Sequence, residues 1–152
     1  MTNYSTLNQQ ALALLGDEPD MIANLANISA LLFNELTDIN WAGFYLYKDE
    51  QLILGPFQGR PACIRIPIGK GVCGTAAATL TTQRIDDVHT FAGHIACDAA
   101  SNSEIVLPLV INEQILGVLD IDSPMHARFS HADEQGLTEL TTILVNHLQR
   151  VA

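Results

Sequence analysis

At 152 residues, 48% of them hydrophobic, the chain has the length of one ordinary domain and can bury a core without disulfide or metal staples. Its apolar runs are short: the cleanest, residues 105–111 and 115–121, are strand-length and fall well below the ~20 apolar residues that cross a bilayer. A net charge of −10, from 7 Lys+Arg against 17 Asp+Glu, repels a phosphate backbone and argues against a nucleic-acid partner.

The first residues, Met1-Thr2-Asn3-Tyr4-Ser5, have no basic cluster ahead of an apolar segment, so no signal peptide is expected and the chain reads as cytoplasmic, without a membrane partner. Ala11, Leu12, Leu14 and Leu15 suggest a short helix that stops at Gly16. Asp20 then caps a longer one, whose stripe of Ile22, Leu25, Ala26, Ile28, Ser29 and Leu32 runs to Leu36. After a connector at 37–40 the period changes to two. Trp41, Gly43, Tyr45 and Tyr47 face one side of a strand, and Ala42, Phe44 and Leu46 face the other.

Lys48-Asp49-Glu50 turns the chain into a second strand over 52–56, and residues 62–66 read as a third, closed by Pro67. Gly69-Lys70-Gly71 leads into an alanine-rich helix at about 72–81, followed by a short strand over 84–86. Residues 87–103 carry His89, His94, Cys97, Asp98 and Asn102 with little periodicity. Phe91, Ile95 and Ala96 make this stretch too apolar for a solvated insert, so it reads as a binding loop. Two strands follow, then a helix from a Ser130 cap to Arg150 with Asp133 and Glu134 in its first turn. This order predicts one α+β domain over residues 1–152, with a mixed, mostly antiparallel sheet and helices on one side.

The last two strands constrain each other. Ile105, Leu107, Leu109 and Ile111 form one apolar row, and Ile115, Gly117, Leu119 and Ile121 form another. In a hairpin both rows must share a face, because a one-residue slip would move one of them into the wrong environment. The resulting register sets 111 against 115, 109 against 117, 107 against 119 and 105 against 121, with a three-residue loop at Asn112-Glu113-Gln114. Val110 then pairs with Leu116, Pro108 with Val118, Val106 with Asp120, and Glu104 with Asp122. Glu104, Asp120 and Asp122 thus converge at one end of the opposite face. Crowded carboxyls cannot all ionise, so at least one should keep its proton at neutral pH. A solvated face with ordinary surface acids is the alternative reading. Trp41 and Tyr45, on one side of their own strand, could form the apolar wall of a pocket.

Cys63, Cys73 and Cys97 are an odd number of cysteines, which argues against a structural disulfide framework and leaves metal ligation, redox chemistry or burial. With His89 or His94 they could nominally supply four zinc ligands. No C-x-x-C pair is present, however, and no metal is expected. Gly69-Lys70-Gly71-Val72-Cys73-Gly74-Thr75 is glycine-rich and opens a helix, but it does not fit the Walker pattern. A carboxylate could sit on the N–H groups of that helix start, which would also lower the pKa of Cys73. Cys97, on the irregular loop beside Asp98 and just before Glu104, is the thiol best placed to meet a substrate held by the carboxylates.

These segments together resemble the free methionine-(R)-sulfoxide reductases, small stand-alone GAF-domain enzymes. The likeness runs through Asp38-Ile39-Asn40-Trp41-Ala42-Gly43-Phe44-Tyr45, Leu54-Gly55-Pro56-Phe57-Gln58-Gly59, Ala62-Cys63 and Gly69-Lys70-Gly71-Val72-Cys73-Gly74-Thr75. It is strongest over Gly93-His94-Ile95-Ala96-Cys97-Asp98-Ala99-Ala100-Ser101-Asn102-Ser103-Glu104-Ile105-Val106, and Gly117-Val118-Leu119-Asp120-Ile121-Asp122-Ser123 completes it. The resemblance implies a single GAF domain that reduces free methionine-(R)-sulfoxide, with Cys97 as the catalytic cysteine. It further implies Cys63 as the main resolving partner, Cys73 as a further cysteine able to join the exchange, and Trp41, Tyr45, Glu104, Asp120 and Asp122 as the substrate pocket. No bound cofactor is implied. Electrons would come from thioredoxin, and so from NADPH through thioredoxin reductase, and family members tend to form homodimers. A non-catalytic GAF sensor of a small ligand is the competing reading, since a fold does not fix a function.

Overall fold

The computed structural model describes residues 1–94 and 100–152; Cys97 and Asp98 lie outside the described residues. The first helix, α1 (Tyr4–Leu15), starts earlier than the alanine–leucine cluster suggests because the Asn3 side chain accepts a hydrogen bond from the Thr6 N–H and caps it. Leu7, Ala11 and Leu15 make its buried stripe, and Gly16 ends it at a φ of 49°. Asp20 caps α2 (Met21–Glu35) by accepting from the Ala23 N–H, and Leu25, Ile28 and Leu32 supply the buried face. The strands β1 (Trp41–Lys48), β2 (Gln51–Gly59) and β3 (Arg65–Pro67) precede α3 (Gly71–Thr79). Then come β4 (Gln83–Ile85), a 3-10 turn at Val88–Thr90, the long hairpin of β5 (Ser103–Ile111) and β6 (Gln114–Ser123), and α4 (His131–Val151). A capping box between Ser130 and Asp133 opens α4.

The six strands lie in the order β3-β2-β1-β6-β5-β4, and every neighbouring pair is antiparallel. The expected admixture of parallel pairing is therefore absent among the described residues. Each connection between neighbours is a turn, or a crossover that returns the chain in the opposite sense. The helices do not share one side. α1, α2 and α4 cover the face that carries Phe44, Ile105, Leu107, Leu109, Leu119 and Ile121, and together they form the main core. α3 lies on the other face, where Val72 and Ala76 pack against Trp41, Tyr45, Val106 and Val118. Its alanines and glycines are small enough to let a helix sit close to a sheet whose bulk comes from two aromatic rings.

The predicted register of β5 and β6 is observed from Glu104↔Asp122 to Leu109↔Gly117. Beyond it, Val110 pairs with Ile115 and Ile111 with Gln114, so the loop is Asn112-Glu113 alone and Leu116 is the extra residue of a β-bulge. Asn112 and Glu113 have φ values of 51° and 65°, the left-handed pair that a two-residue type I′ turn requires. The β1–β2 hairpin repeats the design: Lys48 pairs with Gln51, Asp49 and Glu50 have φ values of 51° and 63°, and the register shifts between Gly43 and Tyr45.

Candidate active site

The site lies on the α3 face of the sheet, at the end where β1, β6 and β5 run side by side. Period-two alternation puts Trp41 and Tyr45 on that face, and antiparallel pairing sets Trp41 opposite Asp122, Gly43 opposite Asp120 and Tyr45 opposite Val118. On the far side of β6, Glu104 pairs with Asp122 and Val106 with Asp120. The three carboxyls thus meet, as their positions in the sequence imply, and the β1–β6 pairing sets them beside the two rings. Gly43 is required at the centre. A Cβ there would stand 2.2 Å from Phe57 Cβ, and its absence lets the Phe57 ring stack on Trp41 with centroids 5.1 Å apart. Trp41 in turn stacks on Tyr45 at 5.9 Å.

One pocket opens between this aromatic wall, the acids and the start of α3, and it takes in Gly71, Val72 and Cys73 from that helix. Ala62, Ile66, His94 and Ser101 also line it. The alternation of the strands gives no hint of His94, Ser101, Ala62 or Ile66, because none of them lies on the paired strands that make the acid cluster. His94 has its pKa lowered, first by burial and then by the neighbouring His89, so it enters the pocket as a neutral imidazole at neutral pH.

Glu104 and Asp120 are only 7% and 6% exposed, which rules out the solvated-face reading for them; Asp122 is half-buried. Burial, and then the adjacent Asp120 carboxyl, pushes the Glu104 carboxyl well above the usual carboxylate range. Asp120 is pushed up likewise, by burial first and by Asp122 next. Its Oδ1 is buried without a hydrogen-bond partner among the described residues, so the pocket holds an acceptor that lacks a donor. The cluster therefore keeps protons at neutral pH and has room for a cationic or N–H-bearing guest.

Cys73 stands at the first turn of α3 and donates to Glu104 Oε2, with Sγ 3.8 Å from it. The helix start does not lower its pKa as expected. Burial pushes the thiol up, and Asp120, Glu104 and Asp122 add to the effect. Its thiol is free, whereas Cys63 is disulfide-bonded. Cys73, Glu104 and Asp120 also place one ligand atom each within 4.8 Å of one another. That soft-plus-hard set of three could hold a divalent cation, but the same groups serve equally as a proton-sharing cluster.

Residues 23–149 match the GAF domain family. Over 141 residues the chain is 63% identical to the free methionine-R-sulfoxide reductase of Escherichia coli (strain K12), an overlap of 93% of this chain and 86% of that protein. Among solved structures, fRMsr of Staphylococcus aureus in its reduced form superposes with a TM-score of 0.95 at 55% identity, covering 97% of this chain and 96% of that one. The complex of the same Staphylococcus aureus protein with its substrate gives a TM-score of 0.94 at 54% identity, covering 97% of each chain.

Proposed function

Because the chain belongs to the free methionine-R-sulfoxide reductases, a family of GAF domains, we propose that it reduces free L-methionine-(R)-sulfoxide to methionine by thiol chemistry and is recycled by thioredoxin. The observation that carries this reading is the buried, proton-holding carboxyl cluster set against an aromatic wall. A sulfoxide sulfur is a poor electrophile until its oxygen is protonated or strongly hydrogen-bonded. A carboxyl kept protonated at neutral pH supplies that proton and stabilises the charge that develops on oxygen.

The Cys97 thiolate attacks the activated sulfur and forms an S–S bond. The protonated oxygen then passes from that sulfur to the Cys97 sulfur as the S–S bond breaks, so methionine departs with its sulfur lone pair restored and Cys97 is left as a sulfenic acid. The Cys63 thiol then condenses with the sulfenic acid, forming a disulfide and releasing water. A thioredoxin dithiol reduces that disulfide, and NADPH restores thioredoxin through its reductase. Cys73, buried and with its thiol pKa pushed up, is the less ready nucleophile.

The same pocket accounts for a preference for the free amino acid. The unpartnered Asp120 Oδ1 and its acidic neighbours suit an ammonium group, which a peptide-bound residue lacks. First-turn N–H groups of α3, which have no intrahelical acceptor, suit the free carboxylate. Trp41 shelters the methyl-bearing sulfur.

The test is NADPH consumption with thioredoxin and thioredoxin reductase, offering free methionine-(R)-sulfoxide, its (S) epimer and a peptide-bound form in turn. Turnover of the free (R) form alone, abolished in Cys97→Ser, is the expected result. If no sulfoxide is turned over although thioredoxin reduces the oxidised protein, the reading fails in favour of a ligand-binding GAF sensor.

A further inference from the structure

The five residues between β2 and β3 carry Cys63: Pro61 and Ile64 are exposed, and Ala62 and Cys63 are half-buried against the α3-face core. Besides the Cys63 disulfide, hydrogen bonds to the backbone carbonyls tie this segment down. The indole Nε1–H of Trp41 donates to the Arg60 carbonyl at 3.1 Å, and the Tyr45 hydroxyl donates to the carbonyl of Cys63 itself at 2.8 Å. The Leu54 N–H takes the Ile64 carbonyl at 2.8 Å. Two of the three donors are therefore the polar tips of stacked rings on β1, a strand paired on both sides.

We propose that Tyr45 and Trp41 are positioning residues for the resolving thiol: through these two carbonyls they hold the Cys63 segment where its sulfur can close on the sulfenic acid. The inference rests on the thiol mechanism above and adds a role to two side chains that otherwise only line the pocket. The step they serve is Cys97–S–OH plus HS–Cys63 giving Cys97–S–S–Cys63 and water. Closing a short loop onto a partner depends on how much of the loop's freedom is already removed, and a bond at the Cys63 carbonyl fixes the backbone that carries the sulfur. The phenol stays a donor throughout the working pH range, because burial, and then Asp120, pushes its pKa far above that of a free tyrosine.

The experiment is a single turnover of reduced protein with saturating free methionine-(R)-sulfoxide and no thioredoxin, following methionine release and disulfide closure separately. Closure is read as loss of titratable thiols, and the waiting sulfenic acid is trapped with dimedone. Tyr45→Phe keeps its ring and Trp41→Phe keeps a smaller aromatic ring, and both remove the donors. In each, closure is expected to slow about tenfold relative to methionine release, as losing one well-formed hydrogen bond implies, and the dimedone adduct should accumulate. Equal slowing of both steps, or an unchanged ratio in both variants, would overturn the positioning role. Failure of the wild-type protein to release methionine would instead sink the mechanism on which the inference rests.

Discussion

Asp120 is held where a carboxylate is least comfortable, inside an apolar sheet face beside two other acids. Its raised pKa is therefore a cost to the folded state as well as an asset to the chemistry. The sign follows from proton uptake: a carboxyl whose folded pKa lies above its unfolded value loses stability as pH rises from the unfolded pKa through the folded one. Asp120→Asn removes the charge that must be buried, so it should raise the midpoint of thermal unfolding at pH 8, by an amount equivalent to ~1–2 kcal/mol. The gain should shrink toward pH 4, where the native carboxyl is already protonated. The same variant cannot supply a proton, and its turnover of free methionine-(R)-sulfoxide should fall on the order of 10²-fold. Calorimetry and steady-state rates on one preparation check both halves, and a variant destabilised at pH 8 would contradict the burial argument.

The two long hairpins show which local rules govern the elements. Asp49, Glu50, Asn112 and Glu113 all adopt positive φ without being glycine, a conformation that costs an L-residue roughly 1–2 kcal/mol. Asn112 tolerates it best, and Glu113→Gly would complete the Asn-Gly pair that this turn favours. That variant should be more stable by ~0.5–1 kcal/mol in urea unfolding with an unchanged slope, and no gain would mean that the turn is not of this type in solution. The alternation of β5 and β6 made the acid-bearing end of this hairpin legible, because a slip there would bury the wrong row. It did not reveal the bulge at Leu116. Val110, Ile111, Ile115 and Leu116 are all only half-buried, so exchanging rows beyond Leu109 carries little penalty and the turn geometry decides instead. Similarly, β2 runs through Pro56 to Gly59, although proline reads as an end, because the register shift opposite Phe44 accommodates a residue without an N–H.

In the whole molecule the sheet separates stability from chemistry. Parity alone grouped Glu104, Asp120 and Asp122 on one face and Trp41 with Tyr45 on one side of their own strand, but not that the two faces coincide, which the β1–β6 pairing decides. The side of the sheet that each helix covers was not, because a short helix of small residues carries no apolar stripe to announce its partner. The face opposite the pocket ends in another buried acid, Asp133, whose situation is the reverse of that of Asp120. It accepts from the Tyr4 hydroxyl at 2.6 Å, from the Ser130 N–H at 2.8 Å and from Arg128 Nη1 at 3.1 Å. Burial pushes this carboxyl up, but Tyr4, Ser130 and Arg128 outweigh it and hold the pKa below the ordinary value. A depressed folded pKa contributes stability above the unfolded pKa, and that contribution is lost as pH falls through the folded one. Asp133→Asn should therefore cost about 1–3 kcal/mol at pH 7, and the gap to wild type should close as the solution is acidified below the usual carboxylate range. Because Asp133 joins α1 to α4 across the sheet from the pocket, KM for the free sulfoxide should not move with it. Urea unfolding at a series of pH values, with KM measured alongside, distinguishes this from a general loosening: a KM that rises in step with the lost stability would show that the two faces of the sheet are coupled after all.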